Sequence, residues 1–456
     1  MPKFPSATNS VSPSRNHPHA EVIAAHVRRR ISRRLIPYLM FIYLLAYLDR
    51  ANLGIAKLQM QKDLVFTDAV IGFGAGVYFF GFVLLSIPGS LIVERWSARK
   101  WIAGIMISWG VVAVMMGFIG APLMGSFSPK WQFYVLRFLL GVAEAGFFPG
   151  VIVYFSHWYR LEDRARALAF FVVTQPIAVA TGIPLSRWVL ENIHWLAWSG
   201  WRWIFILEGI PPILFGFITL LYLVDRPQEA KWLPDHEKRW LIGELKSEER
   251  QKTAARRVSM LDAFRHPQTF LLLIVSFLII TGNQALIFFL PSITESKTSL
   301  PVAIRTLGAA LPYAFSAAGI LLNGFWVHRT GALRWHTAVP VLATGISLSL
   351  AILAGDRAWL VIGLFCLAGF TSQAYMPAFW AMPSALLGKS AAATAVGLIA
   401  LGNLGGFAGP AIFGYLRTST GNYQIGLSFL AGCMLVAGLL ASMIRIPNNP
   451  QPEPMQ

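Results

Sequence analysis

Apolar runs recur along the chain, each long enough to cross a bilayer. About 20 residues suffice at about 1.5 Å per residue. They predict twelve membrane-spanning helices, over about 35–57, 70–93, 101–121, 131–157, 165–190, 202–224, 268–291, 303–327, 337–355, 357–381, 390–416 and 423–445. The ninth and tenth nearly touch, with only Gly355, Asp356 and Arg357 between them. One long polar segment, Asp225 to His266, holds ten Lys/Arg and eight Asp/Glu and divides the spans six and six. Within it, Pro234 to Arg257 reads as a surface helix of mixed charge, and the whole segment as a solvated linker. The expected organisation is an all-α membrane protein. A disordered cytoplasmic tail (1–34) leads into a six-helix bundle (35–224). A cytoplasmic linker (225–267), a second six-helix bundle (268–445) and a short cytoplasmic tail (446–456) follow. Met1 to Ala25 is rich in Pro, Ser and His and lacks the apolar core of a cleaved signal peptide.

Two spans break the apolar pattern with charge. The fourth reads RFLLGVAEAGFFPG from Arg137 to Gly150. Arg137, Gly141, Glu144 and Phe148 share one helix face at i, i+4, i+7 and i+11. An ionisable residue at mid-membrane costs roughly 2.5–3.5 kcal/mol on insertion scales, so it faces water or a partner. Gly141, Gly146 and Gly150 admit a neighbouring backbone, and Pro149 bends the helix. Such a span lines a polar path, or else holds a structural ion pair between helices. The first span reads YLLAYLDRANLGIAKLQ, with Asp49 and Arg50 near its middle. Tyr47 and Arg50 share one face, Asp49 and Asn52 another. Arginine suits a carboxylate because its planar fork donates two parallel hydrogen bonds. Asp49 and Glu144 are candidates to bind a proton, and a helix-packing charge network is the alternative. Gln175, Asn283, Gln284 and Asn403 either line the same cavity or join helices by hydrogen bonds. Glu208 reads as structural, paired with a charge in the first or fifth span. Tyr375, Phe379 and Trp380 would form an aromatic wall or simply pack.

The halves repeat weakly. RWSARKW (95–101) parallels RTGALRW (329–335), each after the second span of its half. Gly141 and Pro149 align with Gly369 and Pro377, and Gln175 falls within one residue of Asn403. In this register Arg137 faces Phe365 and Glu144 faces Ser372, so the charges belong to the first half alone. Two six-helix halves around a midplane site describe a common transporter plan.

Composition narrows the class. The chain has 456 residues, 55% of them hydrophobic and 13% charged, with mean hydropathy +0.57. A soluble protein carries about 25% charge. The net charge of +17 is a topological signal rather than a nucleic-acid footprint. With both termini inside, 27 Lys/Arg fall on the cytoplasmic side, 9 outside and 2 within spans, making up the 38. That asymmetry predicts cytoplasmic termini. Cys366 and Cys433 lie in apolar runs, so neither a disulfide framework nor a metal site is expected. No Walker loop, G-x-S-x-G or H-E-x-x-H is present. The reading is therefore not an enzyme, has no cofactor, and draws energy from a gradient. A membrane-embedded enzyme or sensor would need a catalytic constellation or a signalling domain that the short linker does not offer.

Five stretches carry a family resemblance: YLDRANLGIA (47–56), RFLLGVAEAGFFPGVIVYFSHWY (137–159), WRWIFILEGIPP (201–212), FWAMPSALLGKSAAA (379–393) and GNLGGFAGPAIFGYL (402–416). Over about 35–445 the chain resembles the major facilitator superfamily. Within that superfamily it resembles the anion:cation symporters, near bacterial tartrate, phthalate and hydroxyphenylacetate permeases. The resemblance implies a monomeric transporter of the bacterial inner membrane that takes up an organic anion with protons by alternating access. It implies Arg50 as carboxylate anchor, with Tyr47, Gln175 and Asn403 around the substrate; Asn283 and Gln284 are substrate candidates from their place in a span alone. It also implies Asp49 and Glu144 as proton carriers and Arg137 as partner of Glu144. Sodium in place of protons, and exchange or uniport in place of symport, stay open. So does the acid, since sugar acids, aromatic acids and vitamin-like acids all suit one arginine among polar neighbours. Three positions depart from the pattern: Ser97 for Gly, His328 for Asp and Phe82 for Tyr.

Overall fold

A computed structural model describes residues 18–253, 267–297, 299–383, 385–386 and 396–445, nearly all of them helical. Before the linker stand α1 (Pro18–Asp63), α2 (Asp68–Arg95), α3 (Ala98–Met116), α4 (Pro129–Glu144), α5 (Phe147–Trp158), α6 (Leu161–Asn192) and α7 (Gly200–Tyr222). The linker contributes α8 (Asp235–Thr253). After it come α9 (Pro267–Glu295), α10 (Val302–Thr330), α11 (Leu333–Leu353), α12 (Ala358–Ser372) and α13 (Met376–Phe379). A 3-10 segment (Ala400–Leu404) leads into α14 (Gly405–Thr420), and α15 (Tyr423–Ser442) closes the chain. Twelve helical stretches among the described residues are long and apolar enough to cross a membrane. They match the twelve expected spans, including the close ninth and tenth.

The first span corrects the expected tail. Residues 18–34 are helical and continue without a break through Pro37 into the membrane span. The flank looked polar, but Val27, Ile31 and Leu35 recur every fourth residue and are buried. That stripe docks on the linker side of the bundle. Arg28 pairs with Asp163 at 2.9 Å and Arg30 with Glu237 of α8 at 3.2 Å. Tyr159 donates its hydroxyl proton to Ser32 at 3.2 Å, and Arg34 lies over the rings of Tyr222 and Trp232. Residues 1–17, 254–266 and 446–456 of the expected tails and linker lie outside the described residues.

The fourth and tenth spans are each broken in the middle. Helix α4 stops at Glu144 and α5 begins at Phe147, so Phe148 is not on one continuous face with Arg137 and Glu144. A break frees backbone carbonyls that need donors. The Trp101 indole donates to Gly146 O at 3.0 Å. In the second half Asn283 donates to Ser372 O at 3.0 Å and Asn323 to Ala374 O at 2.6 Å. Just before each break a glycine admits a neighbouring backbone. A Cβ on Gly141 would lie 1.9 Å from Tyr78 O, and one on Gly369 2.1 Å from Pro312 O.

The halves meet along α2 with α14, α6 with α10 and α1 with α9. Small residues let α2 and α14 close: a Cβ on Gly72 would meet Pro410 O at 2.2 Å. Among the described residues, the polar bridges between halves gather at the end far from the linker. Ala69 N donates to Thr418 Oγ1 at 2.8 Å, and Arg187 pairs with Glu295 at 3.1 Å. Lys57, fully buried over the Phe289 ring, shares Asp68 with Arg417. Among the described residues, the molecule is thus sealed at its linker-distal end.

Candidate functional site

Helix α1 brings its midpoint charges against the end of α4. Arg50 Nε donates to Glu144 Oε2 at 2.8 Å, and the Tyr78 hydroxyl of α2 donates to the same oxygen at 2.6 Å. Glu144 is buried to 1% exposure, while Arg50 keeps 17% of its side chain open. Its guanidinium lies over Tyr47 at 4.7 Å, Phe82 at 5.2 Å and Tyr78 at 5.4 Å. Tyr43 stacks on Phe171 at 4.0 Å and meets Tyr47 edge-on, which fixes the ring beneath Arg50. Charge, hydrogen bond and cation–π contacts hold one guanidinium whose terminal nitrogens make no hydrogen bond among the described residues. A carboxylate arriving there would meet a preset fork.

Arg137 corrects the expected pairing. It lies seven residues, about 10.5 Å, along the helix from Glu144. Its Nε reaches Gly74 O at 3.4 Å, and its guanidinium sits between the rings of Tyr78 and Phe288. Arg50, crossing from α1, takes the place beside Glu144. Both terminal nitrogens of Arg137 are buried without a hydrogen-bond partner. Asp49 is fully buried; Asn52 Nδ2 donates to its Oδ1 at 3.0 Å, and its Oδ2 has no donor.

The remaining candidates make no hydrogen bond to this cluster among the described residues. Gln175 of α6 is buried and makes no side-chain hydrogen bond among the described residues. Gln284 is half-buried. Asn403 bonds only its own segment, at Ala400 O, and Asn283 is committed to the broken span at Ser372 O. Tyr375 is buried and meets the ring of Phe379 edge-on. A cavity of about 290 Å³ lies elsewhere, between Leu85, Trp96, Trp101 and Gly146.

Tyr78 escaped sequence reading, although its position shows why Phe82 is tolerated. The two stand one turn apart on α2, so Phe82 supplies a ring and Tyr78 the hydroxyl. Ser97 likewise finds a use: it caps α3 by accepting from Lys100 N and donates to Asp225 Oδ2 at 2.6 Å. Arg99 N donates to Asp225 Oδ1 at 2.9 Å. His328 is exposed near the end of α10. Glu208 meets no cation among the described residues; Ser186 of α6 donates to its Oε1 at 2.7 Å.

Comparison with known proteins supplies the family. A model described as Major Facilitator Superfamily matches residues 39–410. A protein of Agrobacterium vitis named "Putative tartrate transporter" is 36% identical over 425 residues, spanning 92% of this chain and 95% of its own. A "Quinolone resistance transporter" of Acinetobacter baumannii is 35% identical over 429 residues, 92% of this chain and 94% of its own. The inward-open structure of the xylose transporter XylE from E. coli superposes with a TM-score of 0.72 at 14% identity. It covers 90% of this chain and 95% of that one, which shows the fold. The chain is an integral, multi-pass membrane protein, and it belongs to the Major Facilitator Superfamily.

Proposed function

We propose that the protein imports a small organic carboxylate together with protons across a bacterial inner membrane. The observation that carries this reading is the Arg50–Glu144–Tyr78 cluster. A half-buried arginine held by a buried carboxylate is a two-state element. While Glu144 is ionised it holds Arg50. Once protonated it gives up the charge, and Arg50 is free for the substrate carboxylate. A proton therefore biases one state and the substrate stabilises the same one, which is the differential binding that coupling requires. Arg50 anchors the acid, Tyr47 and Gln175 contact its body from the first half, and Gln284, Asn283 and Asn403 contribute from the second. The relative named for tartrate favours a hydroxylated acid as first substrate. With cytoplasmic termini, the sealed linker-distal end is periplasmic and this conformation faces inward.

The test uses proteoliposomes and tartrate. Glu144→Gln fixes the neutral form, so it should still exchange tartrate in counterflow. It should fail to concentrate tartrate when a pH difference is imposed. A variant that accumulates tartrate as well as the parent would remove Glu144 from coupling and leave Asp49 as the candidate. A parent that shows counterflow but ignores the pH difference would make the protein an exchanger or uniporter.

A further inference from the structure

Behind Asp49, on the side of α7, lies a second buried acid that the reading above does not use. Glu208 is 7% exposed. The groups facing it are Ser186 of α6 and Asn52 and Asp49 of α1. From α3, Val114 and Gly110 pack against the adjacent Gly209. No Lys or Arg faces it among the described residues. The two neighbouring arginines are engaged elsewhere: Arg187 pairs with Glu191 and Glu295, and Arg202 donates to Gly117 O and Ile119 O.

Charge and hydrogen bonding both leave this corner one proton short. Around the middle of α1, α4 and α7 stand three buried carboxylates, Asp49, Glu144 and Glu208, against two arginines, Arg50 and Arg137; Lys57, the buried cation further along α1, pairs with Asp68. Arg50 balances Glu144. Arg137, with no ion pair among the described residues, is the cation left for Asp49. Glu208 is the surplus, and an unpaired carboxylate away from water is strongly disfavoured. The unpaired atoms agree. Glu208 Oε2, Asn52 Oδ1, Asp49 Oδ2 and Glu144 Oε1 are buried acceptors with no donor, and Arg137 Nη1 and Nη2 are buried donors with no acceptor. Two free donors of Arg137 stand against the two ionised acids, Asp49 and Glu144. Glu208 Oε2 and Asn52 Oδ1 are left as acceptors facing a shortage of hydrogen.

We propose that Glu208 is a proton-binding residue, neutral in this conformation, with its proton on Oε2. That proton turns the orphaned Oε2 acceptor into a donor. Beside it, the Ser186 hydroxyl donates to Glu208 Oε1 and the Asn52 amide donates to Asp49 Oδ1. With Glu208 neutral, two ionised acids stand against two arginines, and the net charge of the set is zero. Glu208 is thus a neutral acid beside the Asp49–Asn52 pair. Its bearing on transport rests on the proton-coupled reading, whereas its protonation does not.

Infrared spectroscopy of the purified protein in nanodiscs at neutral pH tests it directly, whether or not transport is proton-coupled. The expected spectrum has a neutral-carboxyl C=O band that shifts when glutamates carry 13C and stays put when aspartates do. The band is lost in Glu208→Gln and kept in Glu144→Gln. No such band, a band that follows the aspartate label, or one that survives Glu208→Gln would each overturn the proposal. The isotope comparison and the Glu144→Gln spectrum need no Glu208 variant, so they decide the matter even if Glu208→Gln fails to fold.

Discussion

At the scale of single residues, the site is built from charges that have little freedom to be anything else. Arg50 is held from three sides, by Glu144 and by the rings of Tyr47 and Phe82. Lysine would keep the charge but lose the fork and the flat face. Arg50→Lys should bind the transported acid at least tenfold more weakly in calorimetry, about 1.4 kcal/mol. Near-parental affinity would take Arg50 out of the site. Tyr78→Phe removes a hydroxyl bonded to a buried carboxylate, and bonds to charged groups contribute about 1.5–3 kcal/mol. The variant should therefore melt at a lower temperature than the parent, and an unchanged melting point would show that the bond adds nothing to stability. Asp49, Arg50, Arg137 and Glu144 were legible in the sequence because charge inside an apolar run is conspicuous. Their partners were not. Arg50 reaches Glu144 across 94 residues of chain, and no spacing rule ranks that contact above the i, i+7 pairing with Arg137. Tyr78 was hidden because a tyrosine in a span is unremarkable until its hydroxyl is seen to land on something.

At the scale of elements, the sequence marked each helix that bends but put the bend in the wrong place. The bend is expected at Pro149, with Pro377 as its repeat partner, while the breaks fall earlier, at 145–146, three to four residues before Pro149, and at 373–375, two to four before Pro377. The position is decided by what can satisfy the freed carbonyls, here Trp101, Asn283 and Asn323. Those donors lie on other helices and are invisible to local pattern. The glycines before each break are the rigid part of the arrangement. Gly141→Ala and Gly369→Ala place a methyl about 2 Å from a neighbouring carbonyl oxygen. Overpacking of this kind typically costs 1–3 kcal/mol or more, so both should lose melting temperature and monodisperse yield. Gly104→Ala and Gly363→Ala, where a Cβ meets nothing within 4 Å, should behave as the parent. Equal behaviour of all four would mean that the close approaches are not tight in the working protein. The helical 18–34 segment is hidden in the sequence for a related reason. Its arginines dominate composition, and the buried stripe of Val27, Ile31 and Leu35 shows only when positions are counted in fours.

At the scale of the whole molecule, the apolar periodicity was strong enough to locate all twelve spans, because crossing a bilayer demands length that nothing else in the chain imitates. Which end closes was not legible, since it depends on contacts between distant halves. Two tests address it. A reporter fused after Gln456 should read out as cytoplasmic, and an external readout would overturn the charge-based orientation. Paired cysteines at Ala69 and Thr418, with Cys366 and Cys433 replaced, should cross-link readily, stop transport when oxidised and restore it when reduced. Undiminished transport in the cross-linked protein would show that this seam does not open. One further consequence comes from α1. Its 46 residues form a rod of about 69 Å, more than twice the hydrocarbon thickness of about 30 Å. Arg50 sits well inside it, and Arg28 and Arg30 tie its outer end to Asp163 and Glu237. The rod is therefore a pointer with its pivot in the membrane and its tip in water. A dye pair attached to that tip and to the water-exposed end of α10 would report, molecule by molecule, how the halves tilt, without a label near the substrate.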